Sequence, residues 1–259
     1  MSSINNVERF RQRLLDGKIC VGTSVQLNDP LATEMAAEAG NDFIWYEMEH
    51  SYLELSGLAS HLMAIRGTQA ASIVRVAWND PVILKPILDL APAGIVVPMI
   101  KTADDVARAV SACRYPPVGE RGFGPMRNMY GMESMDEYLA AAPEQIMVYV
   151  QIEHIEAVKN LDAILATPGL DGVVLGRNDL SGSMGKLGQH KDPEVLDAID
   201  TVFAKVRESD LFLGVSIGTD VETVREWREK GVQWFALGED LSHIFDGSKA
   251  VADAVHAIG

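Results

Sequence analysis

Cationic side chains are scarce in this chain. Its 259 residues hold 22 Lys and Arg against 37 Asp and Glu, a formal charge of −15. A surface this acidic repels phosphate backbones and anionic lipid, so neither nucleic acid nor a membrane surface is expected as a partner. An anionic substrate would need a local cation or metal ion to hold it. Only two cysteines occur, Cys20 and Cys113. They make no disulfide framework in a chain of this length and are expected reduced and packed, as suits a cytoplasmic protein. No apolar run approaches the ~20 residues of a membrane span. A Walker loop, a dinucleotide fingerprint and Cys/His zinc spacing are all missing. None of the nine lysines falls on an expected strand. A Schiff-base mechanism needs a desolvated lysine and is therefore disfavoured.

What is present is an ordinary globular composition, 47% hydrophobic and 23% charged, in a length that suits one domain over 1–259. Val7, Phe10 and Leu14 stand at helical spacing among Arg9, Arg11 and Arg13. This predicts a leading amphipathic helix rather than a targeting peptide. Short β-branched runs follow at Ile19–Val25, Phe43–Glu47, Ala71–Val76 and Gly94–Pro98, then at Ile146–Ile152, Gly172–Leu175, Phe212–Ser216 and Trp234–Leu237. Near-continuous apolar runs are the mark of strands buried on both faces. Asp29-Pro30, Asp80-Pro81 and Asp192-Pro193 each offer a capping carboxylate followed by proline, a helix start. Eight strand–helix units in about 250 residues predict an α/β fold, a parallel (β/α)₈ TIM barrel. The segment Arg114–Pro143 is longer than an ordinary connection and reads as an ordered functional loop.

In such a barrel the chemistry sits at the carboxyl ends of the strands. Glu47, Glu49 and His50 follow the second strand, and Arg75 ends the third. Gln151 and Glu153 end the fifth, Gly176-Arg177-Asn178-Asp179 the sixth, and Gly238, Glu239 and Asp240 the eighth. Glu153 and Asp179 come from neighbouring strands. Two carboxylates suit a hard divalent cation with positions open to water and substrate, or they are loop acids and helix caps. His50 is either a general base beside a carboxylate or an exposed loop histidine. Arg75 ends an otherwise apolar strand, so its charge must meet a cavity or a partner.

Several blocks in fixed order now resemble a known family, the HpcH/HpaI aldolases, metal-dependent pyruvate aldolases. The blocks are Glu49-His50, Val74-Arg75-Val76 with Trp78-Asn79-Asp80-Pro81, and Val97-Pro98-Met99. Arg114-Tyr115-Pro116-Pro117 with Gly119 and Arg121-Gly122-Phe123-Gly124 come next. Val150-Gln151-Ile152-Glu153 and Gly176-Arg177-Asn178-Asp179-Leu180-Ser181 complete the series. The resemblance implies that Glu153 and Asp179 hold Mg²⁺, Mn²⁺ or Co²⁺. It implies that Gln151, Gly176, Asn178 and Asp179 position a 2-oxo acid, and that Arg75 stabilises the enolate oxygen. His50 would accept the proton, its basicity raised by Asp89, which reaches the site from a neighbouring subunit. The implied reaction is reversible cleavage of a 4-hydroxy-2-oxo acid to pyruvate and an aldehyde. The implied assembly is a homotrimer or homohexamer, with a last helix Asp240–Ile258 reaching a neighbour.

Two departures stand out. Met48 replaces the glycine of the family's Asp-Gly-Glu-His, and Arg177 stands where proline is common, adding a positive charge that suits a more acidic substrate. Pro125-Met126-Arg127-Asn128 is a candidate for aldehyde contacts. The same carboxylates would also serve a malyl- or citryl-CoA lyase or a phosphoenolpyruvate mutase, but no basic cluster is evident to hold CoA or phosphate. A non-catalytic barrel that binds a small acid is the other alternative.

Overall fold

A computed structural model describes residues 4–258. The strands are β1 (Cys20–Val25), β2 (Phe43–Glu47), β3 (Ala71–Arg75), β4 (Gly94–Val97), β5 (Met147–Ile152), β6 (Gly172–Leu175), β7 (Phe212–Ile217) and β8 (Trp234–Glu239). They close in chain order into one barrel, every pair parallel. All eight carboxyl ends therefore open at the same end, as the sequence predicts for a (β/α)₈ fold. The strand positions agree with expectation to within two residues, and β8 runs on to Glu239.

The helices begin where the capping chemistry places them. Asp29, Asp80 and Asp192 each accept a backbone N–H two residues on, ahead of a proline in the first turn of α2 (Pro30–Glu38), α4 (Pro81–Asp89) and α10 (Pro193–Arg207). The others are α1 (Val7–Leu15), α3 (Leu55–Ala64), α5 (Ala103–Cys113), α6 (Met135–Ala141), α7 (Ile155–Lys159), α8 (Leu161–Leu165), α9 (Arg177–Ser183), α11 (Val221–Glu229) and α12 (Asp240–His256). None of them is long and apolar enough to cross a membrane.

Two cores form. One lies between the strands and the outer helices, the other inside the barrel. The inner one stacks Phe43, Trp45, Tyr149 and Trp234, and α1 closes it from the amino-terminal end. Phe10 of α1 packs at 5.4 Å from Phe43 and 6.1 Å from Trp234. Gly214 is required here, because a Cβ would stand 2.0 Å from the Trp234 indole. The interior is thus filled from below, and the polar side chains at its upper end have only the opening to face.

Connectivity corrects one expectation. The long segment Arg114–Pro143 follows α5, which runs back toward the amino-terminal ends of the strands, so it lies away from the opening. Arg127 donates to the carbonyls of Leu62 (2.6 Å) and Leu90 (2.8 Å), and Asn128 to that of Leu88 (3.1 Å). Pro125–Asn128 therefore braces the outer helices and makes no wall of its own chain's opening.

Candidate active site

The carboxyl ends of the strands surround a cleft of about 530 Å³, into which His50, Arg75, Gln151, Gly176, Asn178 and Asp179 all face. Glu153 stands beside it, 2% exposed. The sequence thus places seven of its eight candidate residues around one cavity.

Glu47 organises one side. It is 2% exposed, at the end of a strand whose every residue is buried. Its Oε2 accepts from Arg75 Nε at 2.7 Å and from Trp45 Nε1 at 3.1 Å. Its Oε1 accepts the backbone N–H of Glu49 (2.8 Å) and of His50 (3.0 Å). One carboxylate therefore sets both the guanidinium and the turn that carries the histidine. Met48 does not prevent this reach. Arg75 also lies face-on to Trp45, 5.6 Å from the ring, and its Nη1 is 3.1 Å from Glu49 Oε2. That ion pair lacks hydrogen-bond alignment, so the buried Glu49 oxygen has no hydrogen-bond partner. Burial, then the neighbouring charges of Glu47 and Asp179, push Glu49 up to about 7 against the pull of Arg75. His50 is exposed, with Nε2 3.7 Å from Glu49 Oε2.

Glu153 organises the other side. Its Oε1 accepts the Met99 N–H at 2.6 Å and its Oε2 the Gln151 Nε2 at 2.5 Å. Met99 directs that N–H from a left-handed conformation, φ 57°, strain of the sort that concentrates at functional sites. Burial pushes the Glu153 carboxyl up to about 7, with the charges of Glu49 and Asp179 adding to it. Gln151 Oε1 is buried without a partner. Gly176 leaves the room these groups need, since a Cβ there would fall 2.7 Å from Gln151 Nε2 and 2.8 Å from Glu153 Oε2.

This acidic pocket fits a divalent cation. Glu153 and Asp179 are hard oxygen donors, and their mutual charge raises Glu153 in the absence of a counter-ion. Among the described residues no three His, Cys, Asp or Glu side chains are gathered tightly enough to enclose a metal ion. A cation here would keep positions for water and substrate.

Asp89 is the residue the structure does not bring in. It ends α4, at the far end from the cleft, where Arg121 Nη2 stands 3.3 Å away. Burial raises its pKa.

Sequence reading passed over three contributors. Glu47 and Glu49 were visible as carboxylates but carried no assigned role, although a lone charge ending an apolar strand is itself a signal. Asp240 gave none. Its carboxylate accepts the backbone N–H of Gln26 (3.1 Å) and Leu27 (3.0 Å), tying the start of α12 to the β1–α2 turn at the cleft wall.

Comparison with known proteins identifies the family. The family model for HpcH/HpaI aldolase/citrate lyase matches residues 21–247. The chain is 34% identical over 248 residues to a 5-keto-4-deoxy-D-glucarate aldolase of Klebsiella pneumoniae, covering 95% of this chain and 96% of the relative. It is 35% identical over 247 residues to a hydroxypyruvate/pyruvate aldolase of Pseudomonas aeruginosa, covering 95% and 92%. A solved HpcH/HpaI aldolase/citrate lyase family protein from Burkholderia cenocepacia J2315 superposes with a TM-score of 0.89 at 32% identity, covering 96% of this chain and 99% of that one. The chain belongs to the HpcH/HpaI aldolase/citrate lyase family, a family of carbon–carbon lyases.

Proposed function

We propose that this member of the family catalyses the reversible aldol cleavage of a 4-hydroxy-2-oxo acid to pyruvate, or a close 2-oxo acid, and an aldehyde. The observation that carries the reading is the convergence on one cleft of a fixed guanidinium, a histidine and two carboxylates from different strands. The names of the two aldolase relatives support the same reaction class.

Glu153 and Asp179 would hold a divalent cation such as Mg²⁺, Mn²⁺ or Co²⁺. When bound, that cation supplies positive charge beside the 2-oxo acid's oxygens and compensates for the acidity of the chain. The protein's own groups do the rest. Arg75, immobilised by Glu47, keeps N–H donors for the oxygen on which charge grows as the C3–C4 bond breaks. Gln151 Nε2, the Gly176 backbone and Asn178 position the carboxylate end. His50 takes the proton from the C4 hydroxyl as the C3–C4 bond breaks, and then gives it up to C3 of the enolate, which makes pyruvate and restores neutral His50. In synthesis His50 accepts the methyl proton instead.

Two further parts rest on assembly. Asp89 would reach His50 from a neighbouring subunit of a homotrimer or homohexamer. The exposed apolar side chains of α12, Leu241, Ile244, Phe245, Val251 and Val255, support contact with a second copy, since this helix buries no residue in its own chain. Arg177 is half-buried, faces the cleft, makes no ion pair among the described residues, and lies 5.8 Å from the Trp227 ring. An unpaired cation there suits a substrate with a second anionic group.

The direct assay is release of pyruvate from a 4-hydroxy-2-oxo acid, with Mg²⁺ or Mn²⁺ and with EDTA. Metal-dependent release is expected. No release with any divalent metal, from substrates of several chain lengths, would refute the reading.

A further inference from the structure

The end of the barrel opposite the cleft gathers charge of the sign this chain is short of. A cavity of about 370 Å³ opens there, between the start of α1, the turn leading from α3 into β3, and the long segment after α5. Asn6, Arg9, Arg66, Thr68, Gln69 and Tyr130 line it, and no Asp or Glu does. Its volume lies within the range of small-molecule sites.

Arg66 is the clearest case. In a chain of net charge −15, its guanidinium makes neither an ion pair nor a hydrogen bond among the described residues. It rests instead over the Tyr130 ring, 5.6 Å from the centre, which holds the charge at the cavity wall. Arg127 stands behind it. The carbonyls of Leu62 and Leu90 take its donors, and it makes no ion pair among the described residues. Burial, then the charge of Arg66, holds the Arg127 pKa below its ordinary value. Two neighbouring like charges repel, and an anion beside them relieves that repulsion. The acid on this side is Asp42, 3.6 Å from Arg9 and 3.0 Å from Arg13. That ion pair leaves Arg66 and Arg127 in excess.

The remaining polar groups divide into those already engaged and those free. The Asn6 amide donates to the carbonyls of Thr68 (3.0 Å) and Ala70 (2.8 Å), and the Thr68 hydroxyl to that of Ile65 (2.8 Å). The Gln69 amide and the Tyr130 hydroxyl have no side-chain hydrogen-bond partner among the described residues. The unengaged groups at the cavity are therefore a guanidinium, an amide and a phenol, all able to donate.

We propose that this cavity is a second binding site, for a tetrahedral oxyanion, either a free ion or the phosphate group of a small molecule. A planar carboxylate is matched by a single guanidinium fork. Here Arg9, Arg66 with Gln69, and Tyr130 come from three parts of the chain, and a tetrahedral ion presents acceptor oxygens in as many directions. The site lies at the amino-terminal ends of the strands, away from the cleft, and is independent of the aldolase reading.

Titration calorimetry tests this on the full chain with Mg²⁺, at constant ionic strength set with chloride. The probes are sulfate and glycerol 3-phosphate. The variants are Arg66→Gln at this cavity and Arg177→Gln at the cleft. The wild type should bind at least one probe. Arg66→Gln should weaken that binding by about tenfold, the worth of one hydrogen bond to a charged group, and Arg177→Gln should leave it unchanged. Tighter binding of glycerol 3-phosphate than of sulfate assigns the site to a small molecule, and the reverse order to the free ion. Arg66 is exposed, so folding is not at stake. No binding of either probe overturns the proposal, as does equal affinity in the wild type and Arg66→Gln. Weakening in Arg177→Gln alone puts the anion in the cleft and overturns it too.

Discussion

Arg75 Nε and Glu47 Oε2 stand 2.7 Å apart, and the other oxygen of that same carboxylate accepts the backbone N–H of His50 at 3.0 Å. The group meant to stabilise charge and the group meant to move a proton are set by one buried side chain. Glu47→Gln keeps the volume and removes the charge. It should lower kcat by about 10²–10³, the usual cost of misplacing a group that stabilises developing charge. Glu47→Asp should recover part of it. Steady-state kinetics of both variants check this, and an unchanged kcat in Glu47→Gln would count against the coupling.

His50 is given the proton transfer alone. His50→Ala should lose about 10²–10⁴ in pyruvate methyl exchange, while the variant still binds pyruvate with Mn²⁺. Equilibrium binding and exchange measured on the same preparation separate the two roles.

Gly176 is expected to tolerate nothing larger. In Gly176→Ala the new methyl would meet Gln151 Nε2 at 2.7 Å and Glu153 Oε2 at 2.8 Å. The carboxylate must turn, and Mn²⁺ affinity should fall by about tenfold or more. Titration calorimetry of the folded variant reads the change.

The raised Glu153 carboxyl makes a pH prediction for the metal-free protein. Its value in the fold is about 7 against the ordinary 4.5, so on raising the pH the unfolded chain gives up this proton first. Stability is lost between about pH 4.5 and 7 and stays lower above that. Glu153→Gln removes the penalty, which is of order 3 kcal/mol at most and shared with the coupled Glu49. Thermal melts in EDTA should therefore place the variant several degrees above the wild type at pH 8. The gap should close at pH 4. A variant that is less stable at pH 8 would contradict the electrostatic account.

Asp89 supplies a test of assembly. If His50 of one chain is completed by Asp89 of another, His50→Ala and Asp89→Ala chains are each impaired but complementary. Co-expressed, they should regain activity in about a quarter of the sites in randomly mixed oligomers. No recovery in a purified mixed oligomer would place Asp89 outside the site.

Much of this was legible in the residues. The strands announced themselves because both of their faces are buried, so β-branched runs such as Gly94–Val97 and Gly172–Leu175 carry no alternation to confuse with a helix. Residues at strand ends were legible because the barrel sends all carboxyl ends to one rim, which brought His50, Arg75, Gln151 and Asp179 together across long sequence separations. Roles that depend on how a side chain bends back were not. That Glu47 reaches Arg75 and the His50 N–H, or that Asp240 holds the turn at Gln26, has no spacing signature. Pro125–Asn128 lies off its own chain's cleft for a simpler reason, the direction of the helix preceding it, which loop length does not reveal.

The central claim is that this cleft removes a proton from the carbon next to a 2-oxo acid's carbonyl. Pyruvate incubated with the protein in D₂O, with Mg²⁺ or Mn²⁺ and then with EDTA, reports on that step alone through its methyl NMR signal. The account predicts metal-dependent loss of the signal with no aldehyde present. A methyl signal that persists with every divalent metal, while pyruvate is shown to bind, would contradict it.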